Sequence, residues 1–155
     1  MKINFTKNEY RTLLDIIHIA HWIINAHEVE VRKDTEHFEQ LFQKLLSFAD
    51  EMGFADLIEH VKKDGKYYPT GKFESESLAE QLIDEFENKN FWDELINRLA
   101  ERDVLKDKKA EYLSDLDPDE WIPAMTKAEE QWIKEFEAYD LDRIIVNKAL
   151  KLVVH

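Results

Sequence analysis

Cysteine is absent from this chain of 155 residues. Its absence excludes a disulfide framework and any thiolate centre for metal or redox chemistry, and it fits a reducing, cytoplasmic setting. Glycine and proline are scarce, at three each. With so few breakers, long stretches are free to be helical. The three glycines are isolated, so no phosphate-cradling loop can be built from them. Long apolar runs are missing too. The longest, Leu13 to Ala26, is interrupted by Asp15, His18, His21 and Asn25, which makes it too short and too polar to span a membrane. Met1-Lys2 leads into polar residues without signal-peptide patterning, and lipidation motifs are lacking. Catalytic signatures are missing as well: there is no GxSxG, and His27-Glu28 is followed by Val29, Glu30 and Val31 rather than by a second histidine. The expectation is a non-enzymatic protein without membrane contact.

What the chain does have is a globular composition and a lopsided charge. Aromatic residues make up 12%, too many for a disordered acidic tail. The length suits one domain over residues 1–155. The formal net charge is -13, from 34 acidic and 21 basic residues. Through Lys66 there are 12 acidic and 9 basic residues, a balance of -3; from Tyr67 onward there are 22 and 12, a balance of -10. Between Glu111 and Asp142 only Lys127 and Lys134 oppose eleven carboxylates. A surface of one sign selects which partners can approach, and this sign repels nucleic acid, so direct nucleic-acid binding is not expected.

Thr6 and Glu9 form a capping box that opens helix 1, which the apolar spacing carries to about Val29. Leu13, Ile16, Ile19, Ala20, Ile23 and Ile24 lie on its apolar face. Asp34 or Thr35 caps a second helix through Ala49, with Gly53 suited to a left-handed C-terminal cap. A short helix is expected over Ala55 to Val61. Asp64-Gly65 and Tyr67-Tyr68-Pro69 favour a turn and extended backbone. Ser75 or Ser77 starts a third long helix, and Asn88 or Asn90 separates it from an antiparallel fourth. Thr126 and Glu129 form a second capping box for the last helix. In the tail, Ile144-Ile145-Val146 and Leu152-Val153-Val154 read as strand or continued helix. The expected fold is mainly α: a compact single-domain bundle of about five helices with a minor β element near residues 66–68 and the C-terminal tail.

Three groups of residues could carry chemistry. Asp15, His18 and His21 share the polar side of helix 1 at spacings that let imidazoles and a carboxylate converge on a divalent transition metal. His37 and His60 could complete such a site; the plain alternative is a helix edge whose imidazoles bond to neighbours. His27 falls on the apolar face as a buried neutral histidine. The run from Asp115 to Glu120 lacks the glycine and the glutamate that a calcium-binding EF-hand loop requires, and it reads as a solvated turn in which Asp117 or Asp119 caps a helical turn beside Pro118. Arg98, Arg102 and Lys106 make a basic ridge, read as a salt-laced helix surface. The third group is acidic. Glu111, Asp115, Asp117, Asp119, Glu120, Glu129, Glu130 and Glu137, with Trp121 as an aromatic anchor, suit a docking surface for a basic protein. Its stronger form is a charge mimic of nucleic acid that inhibits a DNA- or RNA-binding partner. No cofactor is expected under this reading. The alternatives are a metal-binding protein or metal-dependent enzyme built on the helix 1 histidines, and a protein that self-associates through the Trp22 side of helix 1 or the C-terminal strand edge.

Overall fold

The computed structural model describes residues 3–26 and 33–145. The chain is mainly α. Among the described residues, five α-helices and one two-stranded antiparallel sheet run in the order α1 (Lys7–Asn25), α2 (Glu36–Leu46), β1 (Ile58–Val61), β2 (Lys66–Pro69), α3 (Gly71–Glu76), α4 (Leu78–Lys108) and α5 (Pro118–Tyr139). They fall into two compact units, residues 1–87 and 88–155.

In the first unit α1 starts as the sequence indicates. The Glu9 amide donates to the Thr6 hydroxyl at 3.3 Å, and the Thr6 amide donates to the Glu9 carboxylate at 2.8 Å. The Thr6 amide, with the Thr6 hydroxyl donating to the same carboxylate at 2.8 Å, holds the Glu9 carboxyl below its ordinary range. Tyr10, Leu14, Phe42, Leu46, Ala49, Leu57, Ile58 and Phe73 form the core. Full burial of side chains such as Leu14 and Phe73 stabilises by about 2–3 kcal/mol each. The helix 1 apolar face is only partly used: Leu14 is buried, while Ile16 and Ile23 stay exposed.

The segment expected to be a helix over Ala55 to Val61 is a turn followed by β1. Its partner is β2, with Ile58 opposite Pro69 and Val61 opposite Lys66. The β-branched pair Ile58 and Val61 packs more readily on a pleated surface than in an isolated helical turn. Asp64-Gly65 closes the hairpin, with Gly65 at φ 71° and the Gly65 amide bonded to the Val61 carbonyl at 3.0 Å. The other edge of β2 is occupied by a side chain: Gln43 of α2 accepts from the Tyr67 amide at 2.7 Å and donates to the Tyr67 carbonyl at 3.0 Å. Gly53 is left-handed, at φ 79°. It ends the turns that follow α2 rather than α2 itself, which stops at Leu46.

Two boundaries differ from the sequence reading. The expected antiparallel pair around Asn88 and Asn90 is one helix, the 31 residues of α4. Asparagine costs only about 0.6 kcal/mol in a helix, and neither glycine nor proline is there to break it. Ser77 does act as foreseen, accepting from the Ala79 amide at 3.0 Å. The last helix begins not at Thr126 but at Pro118, with Asp117 accepting from the Asp119 amide at 3.0 Å. An aspartate cap followed by proline at the first helical position is the stronger start. Pro123 then removes a single bond from the ladder, and the Thr126 hydroxyl donates to the Ile122 carbonyl inside the helix.

The second unit packs Ala100 and Val104 of α4 against Met125 and Ala128 of α5, with Leu113, Leu116, Trp121 and Trp132 alongside. Ile144 and Ile145 are not in a strand. The rest of the expected tail element, like His27, lies outside the described residues. Among the described residues no helix is long and apolar enough to cross a membrane.

Candidate functional site

The helix 1 histidines point at separate partners. His18 Nε2 lies 2.7 Å from the Glu80 carboxylate, and its ring packs on Phe73 with centroids 5.1 Å apart. With Nε2 donating to Glu80, Nδ1 is a buried acceptor without a hydrogen-bond partner. His21 Nε2 lies 2.9 Å from Glu39, and its ring stacks on Phe42 at 4.0 Å. Burial pushes the Glu39 carboxyl up, but His21 together with Lys66 at 3.3 Å outweighs it and holds the group below its ordinary value. Asp15 is held by Arg11 at 2.5 Å and by the Ser77 hydroxyl at 2.6 Å. The three residues proposed from spacing are therefore each engaged with different side chains. The His37 ring lies tilted against Phe38, and His60 stacks on Tyr67. No group of three histidine, aspartate or glutamate side chains able to hold a metal occurs among the described residues.

The acidic group is partly committed to local structure. Asp115 accepts from the Tyr112 amide at 3.0 Å, and Asp117 caps α5. The run that suggested calcium is thus a turn leading into a capped helix. Glu120 pairs with Lys108 at 3.2 Å. Trp121 is half-buried against the second core, so it supports the surface rather than projecting from it.

The remaining acids behave differently. At 100° per residue, Asp119, Glu130 and Glu137 fall within about 20° of one another around α5. Exposed Ile122 and Ile133 lie beside them, with Glu129 at the margin. Among the described residues none of these four carboxylates, nor Glu111, has an ion pair. Lys127 and Lys134 flank the stripe without closing on it. Across the helix, Glu135 is paired with Arg143 at 3.2 Å. So α5 has one open acidic side and one neutralised side. Trp132, Ile133 and Phe136 follow one another at spacings that put them on one side of the helix, yet they are not equally covered. Of these, Phe136 is buried and Ile133 is 40% exposed.

The two arginines of the basic ridge are neutralised as read: Arg98 pairs with Glu94 at 2.5 Å, and Arg102 with Asp103 at 2.7 Å. Beside Arg102 the second unit opens into a cleft of about 440 Å³, between the C-terminal turns of α4 and the second half of α5. The sequence reading did not anticipate it. Trp132 and Phe136 stack 5.5 Å apart within it, and the Trp132 indole donates to Asp103 at 2.9 Å. A smaller apolar groove of about 90 Å³ lies between α1 and α2, lined by Ile17, Ile24, Phe38 and Leu41 among others. No protein family, curated protein or solved structure matches the chain.

Proposed function

We propose that this is a non-enzymatic interaction protein whose acidic second half docks on a basic protein. The observation that supports the reading is the polarity of α5. Asp119, Glu129, Glu130 and Glu137 are left without cation partners among the described residues, next to exposed Ile122 and Ile133. Carboxylates around small apolar patches attract a basic surface at long range and bury modest area on contact.

The stripe spans about 27 Å along the helix, at 1.5 Å per residue. Duplex DNA of that length carries roughly 16 phosphates, against four carboxylates here. This favours a docking surface for a basic protein over a full replica of the duplex. The mimic form of the proposal is accordingly a partner whose groove reads a few phosphates.

The test compares the full chain with the triple variant Asp119→Asn, Glu130→Gln, Glu137→Gln, each binding a basic partner recovered from the source cell. The expected result is affinity that falls at least about tenfold between 50 and 200 mM salt and a triple variant that binds weakly at both. Equal binding by the variant, or affinity indifferent to salt, would remove the proposal.

A further inference from the structure

We propose that the cleft between α4 and α5 is a receptor for an arginine side chain, and that Arg143 of the chain itself occupies it as an internal plug. The cleft lies on the neutralised side of α5, across the helix from the acidic stripe, so the inference stands beside the docking reading and names the side chain that this second face receives.

The cleft already displays how it receives guanidinium groups. Arg143 reaches Glu135 through two nitrogens, at 3.2 and 3.3 Å, and lies over the Tyr139 ring at 4.3 Å. Arg102 repeats the arrangement one step along: two of its nitrogens contact Asp103 Oδ1 at 2.9 and 2.7 Å, and it sits over Trp132 at 5.6 Å. In both cases a planar cation is held between a carboxylate and an aromatic face, which suits guanidinium better than ammonium. Trp132 sets the Asp103 geometry by bonding its other oxygen.

The sign of the cleft decides between a cationic and an anionic ligand. Asp103, Glu135 and Asp140 line it against Arg102 and Arg143. With both arginines in place the balance is -1, and with Arg143 swung out it is -2. An anion would meet two guanidiniums already committed to carboxylates. A second guanidinium would meet Glu135, Asp140 and open aromatic edges. Arg143 is the displaceable one. Both arginine side chains are more than half exposed, but Arg143 lies beyond the C-terminal end of α5, whereas Arg102 is carried inside α4 over Trp132, so Arg143 can leave without disturbing a helix. Exchange of one guanidinium for another at Glu135 keeps the carboxylate paired throughout, and the partner's arginine competes with Arg143 on equal chemistry.

The experiment measures binding of short poly-arginine and poly-lysine peptides of equal length to the full chain, with Trp132 fluorescence as the local readout and circular dichroism as the check on folding. The expected results are a preference for arginine over lysine, an increase of about fivefold in poly-arginine affinity for Arg143→Ala, and loss of the preference in Glu135→Gln. Asp119→Asn, outside the cleft, should weaken both peptides equally. If both peptides bind with the same affinity and Arg143→Ala does not separate them, the cleft is not an arginine receptor, while docking by the acidic stripe stands. If neither peptide binds in low salt, the docking reading and this inference fall together. Tighter binding of inorganic phosphate to Arg143→Lys or wild type than of poly-arginine would also overturn the assignment.

Discussion

Tyr10→Phe removes one hydroxyl from a contact that ties α1 to the end of α2. The Tyr10 side chain is buried, and its hydroxyl donates to the Leu45 carbonyl at 2.6 Å. That carbonyl belongs to the last turn of α2, where acceptors have no partner within the helix. After the substitution it keeps only the Phe48 amide, at 3.3 Å. The ring and its apolar burial are unchanged, so the loss is that of one buried hydrogen bond, about 1–1.5 kcal/mol. Urea denaturation followed by circular dichroism should show a lower midpoint at unchanged slope. The same hydroxyl makes a second, independent prediction. Burial raises the Tyr10 pKa to about 12, from an ordinary value of 10. Below pH 10 the phenol is neutral whether the chain is folded or unfolded, and it adds no pH dependence. Between pH 10 and 12 the unfolded chain releases the proton and the folded one retains it, so this contribution to stability drains away as pH rises. The wild-type advantage over Tyr10→Phe should therefore be full at pH 7 and shrink or reverse by pH 12. Equal stability of the two proteins at pH 7, or parallel loss of stability across the alkaline window, would refute this account of Tyr10.

Lys109 sits just past α4 at φ 56°, with the Ala110 amide bonded to the Leu105 carbonyl at 3.1 Å, the bond of a helix end that favours glycine. Lys109→Gly should stabilise by about 1 kcal/mol, a rise of roughly 3 °C in melting temperature; a lower melting temperature would show that this end of α4 carries no strain. Thr6→Ala should lower the melting temperature by about 3 °C through loss of the α1 cap. Because Thr6 depresses the Glu9 carboxyl, the cap contribution is present above the ordinary carboxylate range and is lost as pH falls through the Glu9 value. The Thr6 amide, the larger cause, survives in Thr6→Ala, so the Thr6→Ala difference should shrink in acid by the part that the Thr6 hydroxyl gives the Glu9 carboxylate, and a constant difference from pH 7 to pH 3 would contradict it.

The parts of the fold that sequence pattern revealed are those decided within a few residues. The Thr6–Glu9 capping box, the Asp64-Gly65 turn and the role of Ser77 each depend on a local donor and acceptor, and each is present as read. The parts it missed depend on comparisons between distant or competing signals. Asn88 and Asn90 look like punctuation, yet each costs only a fraction of a kcal/mol in a helix, and neither glycine nor proline stands beside them to end it. Thr126 and Glu129 satisfy a capping pattern, but Asp117-Pro118 satisfies a better one eight residues earlier. The β1 strand needed a partner to exist, and that partner, β2, has its other edge occupied by Gln43, a side chain from another helix standing in for a third strand.

The candidate site shows the same division more sharply. The density of acid between Glu111 and Asp142 is plain in the sequence, but a list of charges does not say which are neutralised. On α5 the answer comes from the helical period together with two cations reaching from elsewhere: Lys108 takes Glu120 and Arg143 takes Glu135. What remains is a one-sided stripe rather than an even coat. The histidines of α1 illustrate the reverse case. Their spacing allows convergence, but residues three apart also diverge by about 60° around the axis, enough for His18 to meet Glu80 while His21 meets Glu39. Spacing along one helix sets where side chains can go, and neighbouring elements decide where they do go. The arginine cleft could not have been read from the chain for that reason. Two of its three carboxylates, Asp103 and Glu135, lie 32 positions apart, and each is balanced by a cation, so in sequence they resemble any other pair of a salt-laced surface. Only the aromatic faces of Trp132 and Tyr139 beneath those cations mark the place as one that holds guanidinium.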